Sequence, residues 1–272
     1  MTTPTHSIHH AAAEGYQANA DRYMKGRPDY PPEIAAWLRE TIGLHAGMTV
    51  IDLGAGTGKF TPRLLETGAQ AIAVEPVPQM LEKLSAALPQ VKTLAGTAEA
   101  IPLPDESVDA VVCAQSFHWF ATPQALAEIR RILKPGGKLG LVWNMRDARV
   151  GWVRKLNQIV DRHEGDSPRF YTGEWRKLFP FKGFEPLQEQ VFMLSHRGAV
   201  EDVIYNRVRS TSFIAALPQP QQEQVIEQLR QLVAEEEELR GQDTVTVPYQ
   251  TKAYFTTKPD ARGFRTLSWR NR

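Results

Sequence analysis

Between Met48 and Trp143 the chain repeats one arrangement, a short and almost continuously apolar run followed by a stretch with helical apolar spacing. The runs at 48–53, 71–74, 91–94, 108–114 and 138–143 read as strands. Between them Phe60, Leu64 and Leu65, then Met80, Leu81, Leu84 and Leu88, then Leu126, Ile129 and Leu133 recur on single helical faces. Strands that are apolar on both faces need cover on both faces, and connections long enough to hold a helix join parallel neighbours. The arrangement therefore predicts an α/β fold with a doubly wound, mainly parallel sheet. Local punctuation agrees with it. Pro31 and Pro32 precede a stripe of Ile34, Trp37, Leu38 and Ile42 that ends near Gly43, and Gly68 closes the helix after the first strand. Thr122 and Pro123 suit the N-cap and first position of the helix before Lys134-Pro135-Gly136-Gly137, a turn expected to hand the chain to the fifth strand.

After Trp143 the pattern loosens. Residues 148–182 hold Trp152, Phe170, Tyr171, Trp175, Phe179 and Phe181, expected as a helical pair with mostly core aromatics, some of them lining a substrate pocket. A strand is expected at 187–194, helices at 198–209 and 220–239, and a last strand at 245–255. The acidic run Glu235 to Glu238 reads as a solvated helix face. The expected organisation is an N-terminal lid with the first helices at 1–46, a ligand-binding core at 47–147, and cap insertions plus the final strands of the same sheet at 148–272. The helical cap comes from about 148–182 and 198–239.

Composition narrows the function classes. With 32 basic and 31 acidic side chains the net charge is +1, which provides no electrostatic footprint for nucleic acid. No run approaches the roughly 20 apolar residues that cross a bilayer, and MTTPTHSIHH lacks the basic and apolar regions of a signal peptide, so a cytoplasmic protein is expected. Cys113, the single cysteine, sits in an apolar run and reads as a small buried hydrophobe. His6, His9 and His10 lack acidic or cysteine partners nearby, and no metal is expected.

The chemistry concentrates in Gly54-Ala55-Gly56-Thr57-Gly58, a glycine-rich loop between a strand and a helix. Ligands bind beyond the carboxyl ends of parallel strands, where glycines let backbone approach them closely. A P-loop is excluded, because its first glycine would fall on Leu53 and its Ser/Thr on Phe60. A dinucleotide fingerprint fits in part: Lys59 stands where its third glycine would, while Glu75 suits a ribose. Asp52 at the strand end can orient the loop amides or meet a cationic group through water.

In order and spacing these segments resemble the class I S-adenosylmethionine-dependent methyltransferases. Within them the chain resembles the broad bacterial subgroup called methyltransferase type 11, which includes enzymes similar to trans-aconitate methyltransferase. The resemblance is carried by VIDLGAGTG at 50–58, by Glu75 ending AIAVEP, by Gly96-Thr97-Ala98-Glu99, by the segment from Ala114 to Phe120, by Leu133 to Gly137, and by Lys25 to Pro31. It implies S-adenosylmethionine as cofactor, held by Asp52, Gly54, Ala55, Gly56, Gly58, Glu75, Pro76, Gln115 and Ser116, with Thr97, Ala98 and Glu99 framing the adenine and Met80 on its face. It further implies an N-terminal segment folded over the cofactor, with Tyr16, Tyr23 and Arg27 closing the site, Arg27 on the cofactor's carboxylate and Tyr16 toward the substrate.

His118 follows the fourth strand and is the candidate general base, with Asn144 and Tyr171 as further catalytic candidates. Trp119, Arg146 and Trp175 are the substrate candidates, and Arg146 or Arg149 can receive a carboxylate. After the fourth strand there is no Asn/Asp-Pro-Pro-Tyr motif of the kind that grips a flipped base, and the double-glutamate pattern of protein arginine methyltransferases is missing, so a small organic acceptor is expected. Three alternatives stay open: the same fold cyclising or cleaving S-adenosylmethionine, a non-catalytic binding protein, and a dehydrogenase that binds a nicotinamide cofactor.

Overall fold

The computed structural model describes residues 26–260, and the chain divides into two compact units. Among the described residues one comprises Ala35–Val142, Glu174–Glu189 and 254–260; the other comprises 26–34, Trp143–Gly173 and Gln190–Ala253. Neither unit is continuous in sequence, because segments after residue 173 and after residue 253 return to the first.

Helix α1 begins at Glu33–Ala36, runs on as the wider π-type turns of Trp37–Ile42, and ends on Gly43 at φ 88°. Among the described residues seven strands form one sheet: β1 Thr49–Leu53, β2 Gln70–Glu75, β3 Lys92–Ala95, β4 Val108–Ala114, β5 Leu133–Arg146, β6 Gln188–Ala199 and β7 Thr244–Thr257, in the order β3-β2-β1-β4-β5-β7-β6. The first five are parallel, with Ile51 opposite Ile72 on one side and Val111 on the other, and Cys113 opposite Leu141. Val50, Ile51 and Leu53 in β1, like Val111 to Cys113 in β4, are at most 1% exposed, which is why these strands read as unbroken apolar runs. Strand β7 runs antiparallel to both neighbours: the Asp147 amide donates to the Pro248 carbonyl at 2.9 Å, and the Val200 amide to the Asp243 carbonyl at 3.1 Å.

Helices α2 Thr61–Leu65, α3 Pro78–Ala87 and α4 Pro123–Ile132 follow β1, β2 and β4. In α4 the Thr122 side chain accepts from the Ala125 amide, the expected N-cap, worth about 1 kcal/mol, and Leu126, Ile129 and Ile132 are buried. Two expectations are corrected at its end. Leu133 is the first residue of β5, not part of the helix face, and Lys134 to Gly137 form a bulge inside the strand, not a turn before it. Val108 pairs with Leu133 and Ala110 with Lys138, so five residues of β5 span two steps of β4. Gly136 takes φ 81°, and a Cβ on Gly137 would meet the Lys134 carbonyl oxygen at 2.8 Å, so the glycines permit this detour.

The second unit has its own apolar core. Trp152, Val153, Leu156 and Val160 of α5 (Gly151–Asp161) pack with Val225, Ile226, Leu229 and Leu232 of α8 (Gln219–Glu235) and with Val245, Val247 and Tyr249 of β7. Between them lie α6, which spans Glu201–Asn206 and Arg207–Arg209, and the short α7 Ser212–Ala215. The helical pair expected at 148–182 has one member only, α5, and Glu174–Leu178 is a single 3₁₀ stretch. The acidic run is solvated at Glu235, Glu237 and Glu238 as expected, but only its first residue is helical. Helix α8 stops at Glu235, Glu236 pairs with Lys155, and Glu238 accepts from the Trp152 indole nitrogen at 3.0 Å. No helix among the described residues is long and apolar enough to cross a membrane.

Candidate functional site

The strand order places the topological switch between β1 and β4, the position where ligands bind in doubly wound sheets. The loops leaving these strands are locked together there. The Ser116 hydroxyl donates to the Leu53 carbonyl at 2.8 Å, the Gln115 amide donates to the Val142 carbonyl at 2.8 Å, and Gln115 takes φ 59°. The Gly54 amide donates to the Val74 carbonyl of β2 at 2.8 Å.

The loop glycines do different jobs. A Cβ on Gly54 would fall 2.8 Å from Ser116 Cβ, and one on Gly58 would fall 2.9 Å from Leu84 Cγ, so both are required by packing. Gly56, at φ 57°, has only Met80 Sδ at 3.8 Å in front of the same vector, which leaves its backbone open to a ligand. Met80 itself is buried beside it.

Glu75, 5% exposed at the end of β2, is held by two backbone donors, the Gly56 amide to Oε2 at 2.8 Å and the Val77 amide to Oε1 at 3.0 Å. Each oxygen keeps a further lone pair, so the carboxylate presents a fixed pair of acceptors. Burial pushes its pKa up, and the two amides pull it back. Asp52, 1% exposed, accepts from the Thr61 hydroxyl at 2.7 Å. Burial raises its pKa to about 7; the Thr61 bond opposes the rise and the Glu75 charge adds to it. Thr61 was not among the sequence candidates, because only the fold of the loop back onto β1 brings its hydroxyl to Asp52. Cys113 is fully buried as expected, its thiol pKa pushed up by burial and by Asp52.

The remaining candidates of this unit surround the same strand ends. Pro76 is half-buried after β2, and Thr97 to Glu99 form a turn closed by the Ala100 amide on the Thr97 carbonyl at 3.2 Å, with Ala98 buried. His118 and Trp119 share the 3₁₀ turn Phe117–Trp119, partly exposed, with ring centroids 5.1 Å apart. Trp175 is a correction. It is 2% exposed and packs edge-on against Phe117 and Tyr254, a core residue and not a pocket wall.

Arg27, Asn144, Arg146 and Tyr171 belong to the second unit. Arg27 donates to the Ser210 carbonyl at 3.1 Å. The Asn144 amide is engaged at both ends: Nδ2 donates to the Asp29 carbonyl at 3.1 Å, and Oδ1 accepts from the Thr251 hydroxyl at 2.6 Å. Its geometry is that of a buried tie between β5, β7 and the segment before α1. Arg146 Nε donates to Asn157 Oδ1 at 2.7 Å, while Arg149 is clamped on Asp147 by two bonds of 2.9 and 2.7 Å. Tyr171 is 46% exposed. Tyr16 and Tyr23 lie outside the described residues.

Glycine backbone open at Gly56, beside a carboxylate fixed to receive two hydroxyls, fits the ribose of a nucleoside cofactor on the loop. Comparison with known proteins points the same way. Residues 51–141 match a family model described as a methyltransferase domain. The chain is 40% identical to an uncharacterized methyltransferase-like protein of Schizosaccharomyces pombe over 248 residues, 91% of this chain and 96% of that protein. It is 42% identical to an uncharacterized methyltransferase of Mycobacterium tuberculosis over 229 residues, 84% of this chain and 89% of the relative. Among solved structures, the YcgJ protein of Bacillus subtilis has the same fold, with a TM-score of 0.56 over 84% of this chain and 98% of that one at 22% identity.

Proposed function

The chain belongs to the class I S-adenosylmethionine-dependent methyltransferases, with S-adenosylmethionine as cofactor, and on that premise we propose that it methylates a small organic molecule bearing a carboxylate. The observation that carries the cofactor side is the Glu75 carboxylate, pinned by the Gly56 and Val77 amides beside the open face of Gly56. In this reading Glu75 receives the ribose hydroxyls, the backbone of Gly54, Ala55 and Gly56 lies along the ligand, and Gly58 and Ser116 hold the loop in shape. Asp52, Pro76 and Gln115 line the strand ends, and Thr97, Ala98, Glu99 and Met80 frame the adenine.

S-adenosylmethionine supplies a methyl group on a sulfonium, whose departure leaves a neutral thioether. The protein's contribution is then alignment and exclusion of water. An ionised carboxylate oxygen is itself the nucleophile, so His118 has a proton to take only from an acceptor that arrives protonated. The absence of a base-gripping motif after β4 and the near-zero net charge support a small acceptor over nucleic acid.

Isothermal titration with S-adenosylmethionine, followed by product analysis over a panel of carboxylic acids, tests the reading. We expect binding by the native protein, about 100-fold weaker binding by Glu75→Gln through loss of two charge-assisted hydrogen bonds, and acceptor-dependent release of S-adenosylhomocysteine. Methylthioadenosine released without acceptor, or undiminished binding by Glu75→Gln, would overturn it.

A further inference from the structure

The second unit contains a cation and a buried hydroxyl that the mechanism above leaves unused. The bond from the Asp147 amide to Pro248 fixes the register of β5 against β7, which sets Asn144 opposite Thr251 and Arg146 opposite Tyr249 on one face. The 2.6 Å hydrogen bond between Thr251 and Asn144 follows from that pairing. Across the same face α5 presents buried Asn157, whose Oδ1 fixes Arg146 Nε at 2.7 Å. Asn157 is neutral, so it orients the guanidinium without balancing its charge. Three acids of the same chain segment pair with other arginines: Asp147 with Arg149 at 2.7 Å, Asp161 and Glu164 with Arg169 at 2.6 and 2.7 Å.

Opposite Arg146, Tyr249 is 1% exposed, and its hydroxyl is buried without a hydrogen-bond partner among the described residues. Native proteins rarely leave such a group unsatisfied. Tyr171 stands within electrostatic reach of both Arg146 and Tyr249, and its ring is held by the Arg169 guanidinium 5.1 Å from the centroid. Among the described residues Arg146 Nε is bonded to the neutral Asn157 and the buried Tyr249 hydroxyl opposite has no partner, and an oxyanion is the chemistry that would complete such a donor set.

We propose that this unit binds a small oxyanion, a carboxylate or phosphate group, on the terminal nitrogens of Arg146 and the hydroxyls of Tyr249 and Tyr171. Asn157 is the positioning residue, acting through Arg146. The site is read without turnover, so it stands or falls separately from methyl transfer.

The test is titration of the full chain with succinate, inorganic phosphate and the neutral analogue succinamide, alongside thermal melts. Succinate or phosphate, whichever oxyanion the site takes, is expected to bind saturably and succinamide is not. Arg146→Met weakens binding about tenfold or more, whereas Arg154→Met, which removes an exposed charge on α5, leaves it unchanged. Tyr249→Phe weakens binding several-fold while the melting temperature holds or rises, because it deletes an unsatisfied hydroxyl and keeps the ring; a purely structural tyrosine would show the reverse. Saturable binding of neither anion, binding that survives Arg146→Met, or a Tyr249→Phe protein that melts earlier with unchanged affinity would overturn the proposal. Loss of S-adenosylmethionine binding would count against the methyltransferase reading alone.

Discussion

Alanine at Gly54 and at Gly56 should produce different phenotypes, although the two glycines stand two residues apart in one loop. Both have positive φ, 69° and 57°, so any side chain pays about 1–2 kcal/mol for the left-handed backbone. At Gly54 the new Cβ would also lie 2.8 Å from Ser116 Cβ and 3.1 Å from Phe120 Cε1, contacts that need the β1 and β4 loops to separate. Overpacking of this kind adds about 1–3 kcal/mol, for a total of roughly 2–5 kcal/mol. At Gly56 the nearest atom is the end of a flexible side chain, Met80 Sδ at 3.8 Å, so only the backbone term remains. At about 2 °C per kcal/mol for a chain of this size, Gly54→Ala should melt roughly 4–10 °C below the native protein and Gly56→Ala roughly 2–4 °C below it. In isothermal titration Gly56→Ala should nevertheless bind S-adenosylmethionine at least about tenfold more weakly, since its methyl group would enter the open face along which the cofactor is proposed to lie. Equal losses of melting temperature, or native affinity in Gly56→Ala, would refute the division of labour between the two glycines.

Two further outcomes can be measured. The folded protein holds a proton on Asp52 up to about pH 7 that the unfolded chain releases near the ordinary value of 3.8, so stability should fall as pH rises through that window, by up to about 1.4 kcal/mol per pH unit. Denaturant titrations from pH 4 to pH 8 should show that slope flattened in Asp52→Asn, and a slope unchanged in the variant would remove Asp52 as its source. Thr251→Val should cost about 1–3 kcal/mol in chemical denaturation by leaving Asn144 Oδ1 buried without the hydroxyl that now reaches it at 2.6 Å; a neutral effect would show that the pair is not structural.

The five parallel strands and their helices were legible because each is a local pattern. A strand buried on both faces must be apolar throughout, an amphipathic helix repeats its apolar residues every turn, and Thr122-Pro123 marks a helix start within two residues. The glycine loop and Glu75 were legible for the same reason, as a short segment with its own chemistry. The bulge at Lys134 to Gly137 was not, since a Pro-Gly-Gly run signals a bend and leaves open whether the bend lies before a strand or inside it. Trp175 shows the same limit: its aromatic character suits a pocket or a core equally, and Phe117 and Tyr254, which decide for the core, lie 58 and 79 residues away. Which loop glycine is needed for packing, which of Arg146 and Arg149 already has an acidic partner, and what Asp52 and Asn144 touch were also settled only by the fold. Except for the Asp147–Arg149 pair, these contacts join chain segments that no local period relates, such as Ser116 to Leu53 and Thr251 to Asn144, 63 and 107 residues apart. The sequence by itself determined the sheet's parallel core and the glycine-rich loop after its first strand, because both are written in local spacing. Only the tertiary structure decided the antiparallel place of β7 and the partners of the buried polar groups, because pairing and burial are properties of segments brought together from afar.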